Sequence, residues 1–128
     1  MAIHIYEAYR QGIEFLENGK PAKASVLLER VKHDEPDKGS VREALGRAYY
    51  NFGHFESARH NFAQALRIDP VNDYAHFGLA LCLERLGEHK VALGHIKLAL
   101  AMRPAKETYQ RVALRLDVRG IVDNAPNV

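Results

Sequence analysis

Apolar and polar positions alternate along this chain with the period of an α-helix. Tyr109, Val112, Ala113 and Leu116 stand at i, i+3, i+4 and i+7, so they share one face of a helix predicted over 107–119. Near the start of the chain the apolar arc is wider. Ala8, Gly12 and Phe15 form one stripe, and Tyr6, Tyr9, Ile13 and Leu16 lie further round. At 100° per residue the two stripes span about half the helix circumference. Glu7, Arg10, Glu14 and Glu17 occupy the opposite side.

Between these ends the periodic stretches are punctuated at a fixed stride. Gly19, Gly53 and Gly87 are 34 residues apart, as are Pro36, Pro70 and Pro104, and Ala24, Ala58 and Ala92. One apolar-periodic stretch ends at each glycine, a residue suited to the left-handed position that stops a helix. A second ends just before each proline, which cannot donate to the helical ladder. Each unit is therefore predicted to be a helical hairpin, and the chain divides into 5–38, 39–72 and 73–106. The helix over 107–119 and a loose tail over 120–128, containing Pro126, complete it.

Small residues fall where the two helices of a hairpin must approach. They are Gly12 and Ala24, then Gly46, Ala58 and Ala65, then Ala80, Ala92 and Ala99. Large residues alternate with them: Phe15 and Leu28, then Leu45, Tyr49 and Phe62, then Leu79, Leu83 and Ile96. That alternation lets ridges enter grooves. Ser40 and Glu43 have the spacing of a capping box at the start of the second unit.

With these positions in place, the chain resembles the tetratricopeptide repeat family. The family pattern is an aromatic, then Leu-Gly, Tyr, Ala, Phe, Ala and Pro within 34 residues. The second unit supplies Leu45-Gly46, Tyr49, Ala58, Phe62, Ala65 and Pro70. The third supplies Leu79-Ala80, Leu83, Ala92, Ile96, Ala99 and Pro104, and the first Gly12, Phe15, Ala24, Leu28, Val31 and Pro36. Ala8, Arg42 and His76 replace the leading aromatic, and Gln11 the first leucine, which loosens packing without breaking the phase. The three gapless copies cover about four-fifths of the chain.

The resemblance implies an all-α, right-handed superhelical solenoid of three helix-turn-helix hairpins plus a capping helix. It also implies a concave face lined by the first helix of each hairpin, where a partner peptide or helix lies. Read by phase, that face carries Tyr6, Tyr9, Ile13 and Leu16, then Glu43, Arg47, Tyr50 and Asn51, then Tyr74, Phe77, Leu81, Glu84 and Arg85. Tyr50, Tyr74 and Phe77 are the expected anchors, because aromatic side chains bury large area at small entropic loss. Glu43 and Arg47 form a polar marker mid-groove, or else an i,i+4 pair with each other. Some members of the family clamp a partner's terminal carboxylate with Lys, Asn and Arg. The matching positions here are Tyr9, Ile13, Ala44, Tyr74 and Gly78, so no such clamp is expected.

Composition narrows the function further. The chain of 128 residues is 47% apolar and 27% charged, with a net charge of +2. A single domain of that size can bury a core, and the small charge gives little pull toward nucleic acid or anionic membrane. The one cysteine, Cys82, excludes an internal disulfide and suits a reducing compartment. With neither a secretory signal nor a membrane-length apolar stretch in the sequence, a cytoplasmic protein is expected.

Candidate chemistry is sparse. Seven histidines, His4, His33, His54, His60, His76, His89 and His95, include no pair at i,i+3 or i,i+4, so no metal site is expected. His76 reads as a packed structural histidine, and Cys82 as buried and inert. Three serines and one threonine accompany no phosphate loop, nucleophile elbow or zinc-protease motif. No enzyme and no cofactor are expected.

Three readings remain. The first is a non-catalytic scaffold that binds a protein in the groove. The second is a homodimer formed through Tyr6, Tyr9 and Ile13 of the first helix. The third is RNA or acidic-ligand binding through Arg103, Lys106, Arg111, Arg115 and Arg119, although Arg111, Arg115 and Arg119 equally supply the polar outer face that a solenoid cap needs. The tail is a further candidate occupant of the groove, through Ile121, Val122 and Val128.

Overall fold

A computed structural model describes residues 2–123. They form seven α-helices: α1 (Ala2–Glu17), α2 (Pro21–Asp34), α3 (Gly39–Asn51), α4 (Phe55–Ile68), α5 (Asp73–Arg85), α6 (His89–Met102) and α7 (Glu107–Asp123). No strand occurs among the described residues. Each helix packs most heavily on its hairpin partner, then on the next helix along the chain. The leading helices α1, α3 and α5 also touch one another in succession. This is the contact pattern of a solenoid, in which each unit leans on its neighbours.

One hairpin turn is used three times. Gly19, Gly53 and Gly87 have φ of 72°, 88° and 83°, a backbone region that a side chain would strain. The residue after each glycine donates its N–H to a carbonyl five positions back: Lys20 to Phe15, His54 to Tyr49 and Glu88 to Leu83, all at 2.8 Å. The glycine N–H bonds the carbonyl three back, at 3.1–3.2 Å. Two of the four orphan carbonyls at the helix end are thereby satisfied.

Phe62 of α4 sets the spacing of the leading helices. Its ring is 2% exposed and lies flat against backbone on both sides. A Cβ added at Gly46 of α3 would come within 2.8 Å of the ring, and one at Gly78 of α5 within 2.4 Å. Leu28 fills the matching position against Gly12, at 2.8 Å. Bare backbone is thus what allows α3 and α5 to close on the same ring.

The buried side chains form two clusters. One joins α1, α2 and α3 around Leu28, Leu45 and Val41. The other joins α4 to α7 around Phe62, Ile96, Tyr109 and Leu116. Tyr49 packs against both, and its hydroxyl donates to Glu29 Oε1 at 2.6 Å. Burial and the neighbouring Glu29 carboxylate push that phenol up to about 12.

Several sequence expectations need correction. The Ser40–Glu43 capping box does not form, because α3 already begins at Gly39 and its cap residue, Lys38, makes no side-chain cap bond. Asn72 caps α5 instead, accepting from the Ala75 N–H at 3.0 Å. Leu16 is core, at 5% exposure, because it packs into the cluster that joins α1, α2 and α3. The last helix runs to Asp123 rather than 119, supported by an i,i+4 ion pair of Arg119 with Asp123 at 3.2 Å. Ile121 and Val122 are therefore helical and exposed rather than part of a loose tail. Residues 124–128, with the expected tail contact of Val128, lie outside the described residues. The outer face of α7 is also less polar than expected, since Leu114 (67%) and Val118 (52%) are exposed on it.

The contrast between two helical glycines provides a test. A methyl placed on Gly94 would meet no atom within 4 Å. Gly94→Ala should therefore raise stability by about 0.5–1 kcal/mol through helix propensity. Gly78→Ala should lower it by about 1–3 kcal/mol despite the same propensity gain, because the methyl overpacks Phe62. Urea denaturation of both variants, with Phe62→Leu added to Gly78→Ala to relieve the clash, separates the effects. A Gly78→Ala protein more stable than wild type would refute the wedge.

Candidate functional site

The leading helices bring part of the expected face together. Tyr9 and Ile13 of α1, Ser40, Glu43 and Arg47 of α3, and Tyr74 of α5 surround a cleft of about 420 Å³, floored by Leu16 and Ala44. Tyr9 also borders two neighbouring clefts, of about 260 and 490 Å³, with Tyr6. Tyr6 itself stands out at 71% exposure. Tyr74 leans on Phe62 at 6.2 Å and on Phe77 at 5.9 Å between ring centroids. Burial raises its phenol pKa, opposed by the nearby Arg47 guanidinium and assisted by Glu43.

The charges in the cleft are arranged differently from the i,i+4 pair considered above. Glu43 accepts from Asn72 Nδ2 at 2.9 Å, across to the start of α5. Arg47 therefore keeps its guanidinium without an ion pair among the described residues.

Further along, Tyr50 meets Phe55 edge-on at 5.3 Å, and burial raises its phenol pKa. Arg85 lies over the same Phe55 ring at 4.8 Å, a cation–π contact that leaves its N–H groups free. Asn51 is exposed at the end of α3. Leu81 is half-buried against the core. Phe77, expected as an anchor, is half-buried and stacks on Tyr109 at 4.9 Å, so much of its surface is used inside the fold. Glu84 is gripped by Arg115 of α7 through two bonds of 2.6 and 2.7 Å. Phe55, which carries both Tyr50 and Arg85, had no signal in the sequence pattern.

Outside the groove, His76 and His95 form a pair that no within-helix spacing could reveal. Their rings stack at 5.3 Å, with the two Nδ1 atoms 3.0 Å apart. His76 Nε2 lies 3.0 Å from the Pro70 carbonyl, which can only accept. Neutral His76 therefore carries its proton on Nε2, and His95 donates from Nδ1. Burial, and then the proximity of His76, lower the His95 pKa. No group of three potential metal ligands occurs among the described residues. Cys82 is buried, and burial pushes its thiol up to about 12. None of the described helices is long and apolar enough to cross a membrane.

Comparison with known proteins agrees with this geometry. The sequence profile of the tetratricopeptide repeat matches residues 43–107. Superkiller protein 3 of Schizosaccharomyces pombe is 29% identical over 111 residues, or 80% of this chain, which spans 8% of that protein's length. A mutant form of MamA superposes with a TM-score of 0.73 at 32% identity, over 77% of this chain and 72% of that one. The first such repeat domain of Spaghetti, solved with a bound HSP90 peptide, superposes with a TM-score of 0.87 over 93% of this chain and 94% of that one. At 13% identity that likeness is one of fold alone.

The histidine pair predicts a pH dependence. Because folding lowers the His95 pKa from its ordinary 6.5, the unfolded chain binds more protons there as pH falls. Stability should then be fully present above that value and be lost as pH drops below it. Urea midpoints at pH 7.5 and 5.5 should differ in the wild type, and His95→Gln should remove most of the difference. An unchanged slope in the variant would contradict the assignment.

Proposed function

We propose, from the premise that this chain belongs to the tetratricopeptide repeat family, that it is a non-catalytic scaffold or adaptor holding a protein segment along α1, α3 and α5. The observation that carries this reading is the cleft bounded by Tyr9, Ile13, Arg47 and Tyr74. It combines aromatic anchors with unspent hydrogen-bond donors on rigid helices, as peptide-binding grooves require. The bound HSP90 peptide of the Spaghetti domain supports it by analogy. The groove residues Tyr6, Tyr9, Ile13, Glu43, Arg47, Tyr50, Asn51, Tyr74, Phe77, Leu81, Glu84 and Arg85 remain the proposed site, with Phe77, Leu81 and Glu84 acting mainly as its supporting wall. A reducing, cytoplasmic setting suits the single buried thiol.

A second reading rests on Tyr6. A phenol ring 71% exposed and flanked by two clefts suits burial against a second copy of α1. The nucleic-acid reading gains no observation beyond the sequence. Arg115 is held by Glu84 and Arg119 by Asp123, Arg103 lies 3.9 Å from Asp73, and Lys106 sits over Tyr109.

Crosslinking from native lysate followed by mass spectrometry should recover proteins that a Tyr9→Ala, Tyr50→Ala double variant loses, with helical content unchanged by circular dichroism. Undiminished capture by that folded variant would exclude the groove. For the dimer, sedimentation should show association that Tyr6→Glu abolishes, and a concentration-independent wild-type monomer would end that reading.

A further inference from the structure

The groove reading leaves open what chemistry its occupant carries, and the ion pairing along α3 and α5 narrows it. All three acidic side chains there already have partners: Asp73 accepts from the Tyr109 hydroxyl at 2.7 Å. Glu43 accepts from Asn72, and Glu84 takes two bonds from Arg115. Of the three arginines, Arg42 donates to the Pro36 carbonyl, and Arg47 and Arg85 have no carboxylate among the described residues. Arg47 borders the cleft beside Tyr74, and Arg85 rests on the Phe55 ring beside Tyr50. Stacking fixes the plane of a guanidinium while leaving its fork of N–H donors available for a carboxylate. The α3–α5 half of the groove thus offers two unneutralised guanidinium groups, each next to a tyrosine.

Their spacing can be put in terms of a ligand. Neighbouring packed helices lie about 8–10 Å apart. Arg85 stands one turn beyond Leu81, the register match of Arg47, which adds about 6 Å along the axis. The two backbone positions are then about 11 Å apart, a span covered by about three or four residues of extended chain at ~3.3 Å each.

Resting on the groove reading above, we propose that the bound segment is acidic in its interior, with two side-chain carboxylates three or four residues apart on Arg47 and Arg85, and an apolar residue between them against Tyr50 and Tyr74. A chain terminus carries its carboxylate at one point, and the guanidinium groups flank the groove at two, so a terminal carboxylate alone cannot serve both.

The test is selection from a library of random twelve-residue segments displayed between two fixed domains, so that no segment ends in a free carboxylate. Full-length protein is the bait, and the Tyr9→Ala, Tyr50→Ala variant is the counter-selection. Wild type should enrich Asp or Glu at two positions three or four apart. The acetylated, amidated consensus peptide should bind about tenfold more tightly than its Gln version in low salt, and Arg47→Gln or Arg85→Gln should shrink that gap. An enriched pool without paired acids, or a Gln version that binds equally well, overturns the proposal and leaves the groove standing. Equal enrichment on wild type and the double variant brings down the groove reading itself.

Discussion

The contact on which the rest of the molecule depends is the ring of Phe62 lying between the bare backbones of Gly46 and Gly78. A hairpin in this chain cannot bury both sides of its helices alone. Each leading helix must meet the second helix of its own unit on one side and that of the unit before it on the other. Phe62 serves both at once, and glycine at the two contact points lets the helices come within reach of one ring. Had either position carried a side chain, α3 and α5 would splay. The cleft that spans Tyr9, Arg47 and Tyr74 would open into a flat surface.

Packing alone does not choose the register between units, and a set of polar ties does. Tyr49 reaches Glu29, Asn72 reaches Glu43, Tyr109 reaches Asp73 at 2.7 Å, and Arg115 reaches Glu84. Each bond crosses from one hairpin to the next element, and each is directional, so sliding by a turn would break it. One of these ties, Arg115 to Glu84, also neutralises a charge at the groove. Glu43 keeps its charge and gives one oxygen to the neutral Asn72 amide, while Arg47 and Arg85 stay outside any ion pair among the described residues.

Much of the architecture was legible because the 34-residue stride places Gly, Pro and the small residues of every hairpin in phase. A helix stop and a close approach are local demands on one residue type, so spacing reveals them. The misreadings concern contacts between units. Ser40 has the spacing of a cap, but α3 starts one residue earlier. Leu16 has the phase of a surface residue, but it packs into the cluster shared with α2 and α3. Glu43 could pair with Arg47 along its own helix, but Asn72 competes from the next hairpin. His76 and His95 meet across an antiparallel pair, where sequence separation carries no fixed period. Arg115 against Glu84 and Phe55 beneath Arg85 likewise join different helices, where helical periodicity gives no signal.

The position of Tyr49 between two buried clusters has a mechanical corollary. The first hairpin reaches the body formed by α4 to α7 chiefly through α3, which packs on that body through Gly46, Tyr49 and Tyr50. Local opening of the stack therefore has a natural seam there, ahead of global unfolding. A ligand gripping Tyr9 on one side of the seam and Tyr74 on the other would act as a splint, so that occupancy of the trough stiffens the amino-terminal end of the rod without any change in its shape.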